Sequence, residues 1–538
     1  MNRSNSITQC IVACFCITTA SGLLFAQGAA TMVPADTPLF IELNDLSSLY
    51  ADWKTDPLAE FIKKNIPQPQ QDRNWQEIKN VMRMDTDELI ERYFGNSIAL
   101  IGSTQRGGQP AVVAMQVTNE NAMLAVERLA MQEKEKRADF TLYASADKKA
   151  DVVIGRGWMF FADKKNGAIL EQIVMGVVEK KPALADDDAY KTMIARLPAK
   201  RVGTAIARDP GKNEFHAVGV TRVNRNLRVH YAGKSPNFAP ISKQQGSAGA
   251  MQFGPLPSST IAAITVNIKG QRPPNPNVID GLNRMLAPKT YETDVLPKIG
   301  APVVLFYGQV KADRITPDPG MSLPVAGVSL QMKDVTVASD LTNVINQMML
   351  FANMATMQWK TEPVVVKDVQ YKNTSFRSAN LGIALSQRAE RAELAKMTIS
   401  YGRIGDFFVV CTQDEFFKDC IDAHDDSTKS LIATKDFSTM ALKDHKSPVV
   451  SFVLRPQELS SQINSLLAYW KRVRPAVYES AMLNPKRPEG KMIHGTHLLS
   501  GLLGHFQGVS VQSYLDDEQV LHADLNIARQ KTDVSLKN

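Results

Sequence analysis

Two hydrophobic periods alternate along this chain, and one succession of them occurs twice. From Gly157 to Pro210 an apolar strand, GWMFFA, is followed by an amphipathic helix, a short helix and a second apolar strand, VGTAIA. From Gly405 the same order returns as GDFFVVC, EFFKDCIDAH, the short stretch around Phe437 and VVSFVLRP. The offset is 248 at Gly157/Gly405 and 247 at Leu184/Leu431, Tyr190/Phe437, Met193/Met440 and Arg208/Arg455. So little slippage over so long a stretch reads as an internal duplication.

The pattern extends on both sides. Alternation predicts strands at Pro38 to Leu43, Ala111 to Val117, Phe140 to Ser145 and Asp151 to Arg156, with another opened by Gly95. Helical spacing runs from Leu46 to Ile62, divided at Pro57, and Asn119 is expected to cap a helix through Met131. Phe215 to Thr221 and Leu227 to Tyr231 form a predicted hairpin through Asn224-Arg225-Asn226. Residues 235–259, dense in Pro, Gly, Ser and Ala, read as a linker between a first repeat at 33–234 and a second at 260–538. Offsets climb from 205 at Gly95/Gly300 through 215 at Gln116/Gln331 to about 291 at Phe215/Phe506. The excess of 44 falls between Pro456 and His505. A helical excursion is expected at about 457–505, because Leu459, Ile463, Leu466, Leu467 and Trp470 share a helical face. Two-strand pieces alternating with single helices predict an α+β fold: two related copies of a mixed, largely antiparallel sheet, each covered on one face by helices.

Composition changes this picture mainly at the start of the chain. Arg3 precedes an uncharged apolar run from Ile7 to Phe25, then small residues, which reads as an export signal within residues 1–30 cleaved near Ala26, with no lipid anchor. Cleavage leaves Cys411 and Cys420, too few for a disulfide framework. No later segment has the eighteen or so apolar residues of a transmembrane span. The expected location is therefore periplasmic or extracellular, with the protein soluble. The net charge of +7 is uneven: Arg196 to Lys243 holds ten basic residues against two acidic ones.

That stretch supplies the sharpest candidate site. Arg222, Arg225 and Arg228 on the hairpin could meet an anionic polymer or a headgroup surface, or protect an edge strand from aggregation. Leu227, Val229 and Tyr231 alternate with Arg228 and His230, so the former are expected to pack inward and Arg228 to stand in solvent. The hairpin lacks the interleaved aromatics of single-stranded nucleic-acid sites, and no nucleic-acid partner is expected.

His494, His497 and His505 are the metal candidates by residue type, set against ordinary surface or strand histidines. No metal or other cofactor is expected. Asp186-Asp187-Asp188 reads as a cation site or as the acidic N-terminus of a helix. Cys411 and Cys420, aligned with Asp163 and Gln172 at the 248 offset, read as a buried thiol pair or a disulfide. The methionine-rich helix from Val335 to Met357 reads as core or as a face for apolar ligands. No dinucleotide-binding, phosphate-binding, nucleophile-elbow or zinc motif is present in the exported part. Ser145-Ala-Asp-Lys148 has the SxxK spacing without its companion motifs.

VPADTPLFIELNDL, FGNSIALIG and the succession GWMFFADKKNGAILEQI to ALADDDAYKTMIARLP together resemble a family of exported bacterial proteins of unknown function with duplicated α+β domains. The resemblance implies export and supplies no catalytic residues. The residues and the resemblance point to a non-catalytic binding or envelope-associated protein. Its ligand or partner surface would lie on or between two related domains, for an envelope component or apolar ligand. The alternative is an envelope hydrolase.

Overall fold

The computed structural model describes residues 28–65, 71–102, 110–146, 149–209, 214–223, 226–235, 253–267, 276–315, 319–358, 363–380, 397–440 and 448–530. Most of the expected export signal and of the expected linker lie outside the described residues. The chain is α+β and divides into two units, Met1–Ala239 with Asp516–Leu525, and Pro240–Leu515 with Asn526–Asn538.

The strands of the first unit are β1 (Leu39–Asn44), β2 (Ser97–Gly102), β3 (Pro110–Gln116), β4 (Met131–Arg137), β5 (Phe140–Ser145), β6 (Ala150–Gly155), β7 (Trp158–Asp163), β8 (Gly203–Asp209), β9 (Glu214–Val223) and β10 (Asn226–Lys234). They pair in the order β4-β5-β6-β7-β3-β2-β1-β8-β9-β10, each neighbour antiparallel. The expected mixed character is thus absent from these pairings.

Both faces of this sheet are covered, where one was expected. Every residue of β2 is buried: Ala99 and Ile101 enter one core, Ile98 and Leu100 another. The first core is closed by helix α4 (Gly167–Val178) through Leu170, Ile173 and Val174. The second is closed by α1 (Leu46–Lys54) and α3 (Asn119–Arg128), with α2 (Pro57–Asn65) following α1. Strands buried on both sides read as continuous apolar runs, which hides the alternation that would have shown two faces.

One local expectation is corrected. Helix α3 is capped by Thr118, whose side chain accepts from the Asn121 amide, and it stops at Arg128; Met131–Arg137 is a strand. That strand, MQEKEKR, pairs with β5 and is charged and mostly exposed, so it carries no apolar periodicity to announce it. At the start of the described residues, Ala29 and Ala30 are buried in the first core and the Ala29 amide donates to Glu42, beyond the expected cleavage near Ala26.

The second unit contains β11 (Thr260–Val266), β12 (Ile299–Val310), β13 (Leu323–Met332), β14 (Val366–Tyr371), β15 (Thr374–Asn380), β16 (Thr398–Ile404), β17 (Phe407–Cys411), β18 (Val450–Leu454) and β19 (Phe506–Leu515), which leads into β20 (Leu521–Arg529). Their pairing order is β14-β15-β16-β17-β13-β12-β11-β18-β19, antiparallel throughout. Strand for strand this is the order of the first unit. Two cores again flank the sheet. Phe253 and Leu256 are buried in one of them, so the second unit begins inside the stretch read as linker.

Register makes the correspondence residue-specific. Ile41 faces Leu100 and Ile264 faces Leu305, while Leu100 faces Val113 and Leu305 faces Val328. These pairs reproduce the offsets 205 and 215. Elsewhere the sheet corrects the alignment. Gly155 faces Trp158 and Ile404 faces Phe407, an offset of 249, so Gly405 is the counterpart of Arg156 and not of Gly157. Both open their two-residue turns in the left-handed region, at φ of 52° for Arg156 and 55° for Gly405. Ala205 faces Val218 and Phe452 faces Val511, which puts the last offset at 293 where about 291 was expected.

Candidate binding surfaces

The basic hairpin is the β9–β10 pair. Residues directly opposite on antiparallel strands project to one face. Arg228 lies opposite Thr221, His230 opposite Gly219, and Ala232 opposite Ala217. Ala217 and Ala232 are fully buried in the first core, so Arg228 and His230 share the covered face. Arg228 is half-buried with its Nε enclosed, and the expectation that it stands in solvent is overturned. Alternation identifies which side chains share a face; it does not say which face is wet when both are covered.

Arg222 points the other way and pairs with Asp52 of α1, its side chain 11% exposed. Arg225 lies outside the described residues. The arginine trio is therefore not displayed as one exposed stripe: the structure places Arg222 and Arg228 on opposite faces.

The covered face of the hairpin holds a constellation that sequence reasoning missed. His230 Nδ1 is 2.7 Å from Asp524 Oδ1, and its Nε2 is 3.1 Å from Thr221 Oγ1. Hydroxyl, imidazole and carboxylate thus stand in proton-relay order. Thr221 is only 8% exposed, which limits access to its hydroxyl. Asp524 is 294 residues from His230 in sequence, so spacing offered no signal. Nearby, Arg196 pairs with Asp516 and Glu518, and His522 Nε2 is 3.0 Å from Asp516 Oδ2. Burial pushes the Asp516 carboxyl up, but hydrogen bonds from His522 and the Val520 amide, with the Arg196 charge, hold it below the ordinary value.

The other candidates resolve simply. Asp187 accepts from the Tyr190 amide and Asp186 from the Ala183 amide, capping α5 (Asp188–Ala195) and the turn before it. His494 Nε2 lies 3.2 Å from the Met482 carbonyl and His497 Nε2 2.7 Å from the Tyr478 hydroxyl; His505 closes the helix end, its amide donating to Leu502. Among the described residues, no three of His, Cys, Asp and Glu come together as a metal site. Cys411 and Cys420 are free and buried; burial pushes the Cys411 thiol up to about 12 and raises Cys420 too. By strand register Cys411 stands where Ala162 does, since Gly327 faces Cys411 and Val112 faces Ala162. In α7 (Asp414–Asp425), the burial pattern of Phe416, Phe417, Cys420 and Ile421 matches that of Ile169, Leu170, Ile173 and Val174 in α4. The thiols occupy apolar core positions, not those of Asp163 and Gln172.

Two exposed apolar surfaces lie in the second unit. In α6 (Val337–Gln358), Val337, Val344 and Met349 are buried, whereas Met348, Leu350, Phe351 and Met354 are exposed. The helical excursion forms three helices, α9 (Pro456–Val473), α10 (Pro475–Leu483) and α11 (Pro488–Leu503), following α8 (Lys435–Thr439) and β18. Leu467, Tyr478, Ala481 and Ile493 pack together inside it. The predicted stripe on α9 splits: Ile463 and Leu467 turn inward, while Leu466 and Trp470 are exposed. On α10 only Tyr478 and Ala481 are buried, leaving Val477 (50%), Met482 and Leu483 (81%) in solvent. No described helix is long and apolar enough to cross a membrane.

No family model and no curated protein matches the chain. Two solved structures of TP0453 are similar to part of it, crystal form III at 9% identity over 42% of this chain and 90% of that one, with a TM-score of 0.24, and crystal form I at 9% identity over 39% and 80%, with a TM-score of 0.23. Likeness at that level carries no argument about this chain.

Proposed function

We propose that this is an exported, internally duplicated, non-catalytic binding protein of the envelope, whose ligand or partner surface is apolar and lies on the second unit. The observation that carries the reading is the set of large apolar side chains exposed on α6 and α10, Met348, Leu350, Phe351, Met354, Val477, Met482 and Leu483. Large exposed apolar surfaces on soluble proteins mark interaction sites more often than they mark nothing. The recurrence of one pairing order and register in both units supports the duplication, and the apolar run Ile7–Phe25 supports export. Titration with an environment-sensitive apolar probe tests the reading. Saturable binding that falls when Phe351→Ser and Leu483→Ser are combined is expected; a variant that binds the probe as the wild type does would refute it.

One observation favours a second reading, the envelope hydrolase: the Thr221–His230–Asp524 relay. Ester hydrolysis abolished by both Thr221→Val and His230→Gln, with the fold intact, would establish it. The near-complete cover over Thr221 places it second.

A further inference from the structure

The start of the first unit carries a narrower assignment, which rests on the reading that the chain is exported. A cut near the end of the expected leader can fall after Ala26, after Gly28 or after Ala30. Cleavage of such leaders needs small residues at the last position and two before it. A cut after Ala26 puts Leu24 at the outer position, whereas Ala26 with Gly28 fits the second frame and Gly28 with Ala30 fits the third. The third would remove Ala29 and Ala30, which are 0% and 5% exposed in the first core. A cut after Gly28 satisfies the sequence and leaves that core whole.

Glu42 stands at this bond. The Ala29 amide donates to its Oε1 at 3.0 Å, and a β-carbon on Gly28 would lie 3.0 and 3.1 Å from its two oxygens. Both carboxylate oxygens therefore border the Gly28–Ala29 peptide. Glu42 is buried, and desolvation opposes its charge. Arg201 acts on it through space, while its guanidinium donates to Thr204 Oγ1 and to the Pro198 carbonyl. Tyr190 is the other titratable neighbour and is neutral, its hydroxyl pushed up to about 12 by burial and by the Glu42 charge. The second unit supplies a control. There Pro257 bridges to Ser430 as Pro34 does to Ala183, and Thr265 occupies the register of Glu42. The carboxylate is present in the copy that adjoins the leader and absent from the copy that does not.

We propose that the leader is cut between Gly28 and Ala29, and that the α-ammonium so created becomes the buried counter-ion of Glu42. Water is consumed in the cut: Gly28 leaves with a carboxylate, and Ala29 keeps the nitrogen as an ammonium. A charged donor bonds a carboxylate roughly twice as strongly as a neutral amide does. The cut thus turns a sparsely served carboxylate into an ion pair and stabilises the first unit. It also removes the Gly28 carbonyl that the Thr31 amide and hydroxyl use, but Thr31 is exposed and water takes its place. Ala29 is fully buried once the unit has folded, so the bond is open to a peptidase only before folding, while the chain is being exported.

Two measurements test it. Intact mass and N-terminal sequencing of the protein, isolated as the producing cell exports it, should give Ala29 as the first residue. A start at Gln27 or at Thr31 would overturn the assignment and leave export standing; a start at Met1 would overturn both. Glu42→Gln should lower the melting temperature of the exported protein at pH 7 by roughly 5 °C or more, because the ammonium loses its partner. In a chain made inside the cell with Met placed before Gln27, Ala29 still contributes a neutral amide, and the same substitution should raise the melting temperature. Opposite signs separate an ion pair from a packing role, since a lost packing contact would act alike in both chains. The same sign in both would overturn the pairing.

Discussion

The two units share a strand order and differ in what is hung on it. In the first, β8 passes to β9 across a short connection; in the second, β18 and β19 are separated by three helices and the sheet register is undisturbed on either side. Both retain one device at the same place. Arg208, at the end of β8, donates to the carbonyls of Thr37 and Ala35 and pairs with Asp187. Arg455, immediately after β18, donates to the carbonyls of Ser258 and Thr260 and pairs with Asp436. Each arginine ties the strand end to the chain entering β1 or β11 and to the first turn of a short helix. A buried cation serving several oxygens resists replacement, while a loop beyond it is open to insertion. The comparison teaches that the arginine and the register define the unit, and the length of the next connection does not.

Arg208→Leu and Arg455→Leu test this most severely. Each should cost its own unit about 3 kcal/mol, because a carboxylate and two carbonyls lose a buried partner. Hydrogen exchange should report the loss in β1 and β8 for the first variant and in β11 and β18 for the second. A large effect in one unit and none in the other would break the equivalence.

The thiols sharpen it at a smaller scale. Since Cys411 corresponds to Ala162, Cys411→Ala should cost below about 1.5 kcal/mol. Both thiols should resist an aromatic disulfide reagent until denaturant opens the second unit. Fast labelling of the native protein would contradict their burial.

Glu42 distinguishes the units by pH. It is buried, its carboxyl raised by desolvation against the opposing Ala29 amide and the Arg201 charge, while the second unit has Thr265 at the matching register. A carboxyl raised in the folded state favours folding most below the unfolded value of about 4.3, and that contribution is lost as pH rises through the folded value. In the uncut chain Glu42→Gln should therefore be the more stable form near neutrality, with a gap to the wild type that closes toward pH 4. Thermal melts across that range check it; a constant gap would refute the assignment.

The smallest effect belongs to Arg222→Gln. Its partner Asp52 is half exposed, so the loss should stay under about 1 kcal/mol in a chemical denaturation.

Much of this fold was legible because the same hydrophobic periodicity recurs in both units. The offset 247 follows from matched apolar residues such as Leu184/Leu431 and Met193/Met440, all buried, and the offsets 205 and 215 from strands matched at Gly95/Gly300 and Gln116/Gln331. The misreadings have physical causes. Strand β4 is charged and carries no apolar alternation to announce it; β2 is apolar on both sides and conceals the second core; a glycine-to-glycine match at the β6–β7 turn displaced the alignment by one residue. The arginine trio showed its composition but not its orientation. The Thr221–His230–Asp524 relay could not be foreseen, because topology alone brings β20 residues to the hairpin. The stripe on α9 was half legible: Ile463 and Leu467 turn inward, yet helical spacing also assigned the exposed Leu466 and Trp470 to it.

Arg156 and Gly405 adopt one backbone conformation for different reasons, and this makes exchange between the units directional. A β-carbon on Gly405 would sit 2.5 Å from the His424 ring, so a side chain there requires the exposed imidazole to move. Arg156 has room to pair with Asp139 and lie over the Phe140 ring. Glycine can be transplanted from the second turn into the first, where it relieves a left-handed residue of its steric cost; arginine carried the other way would force the imidazole out of its seat. Exchanging the turns should therefore cost stability in one direction and not in the other.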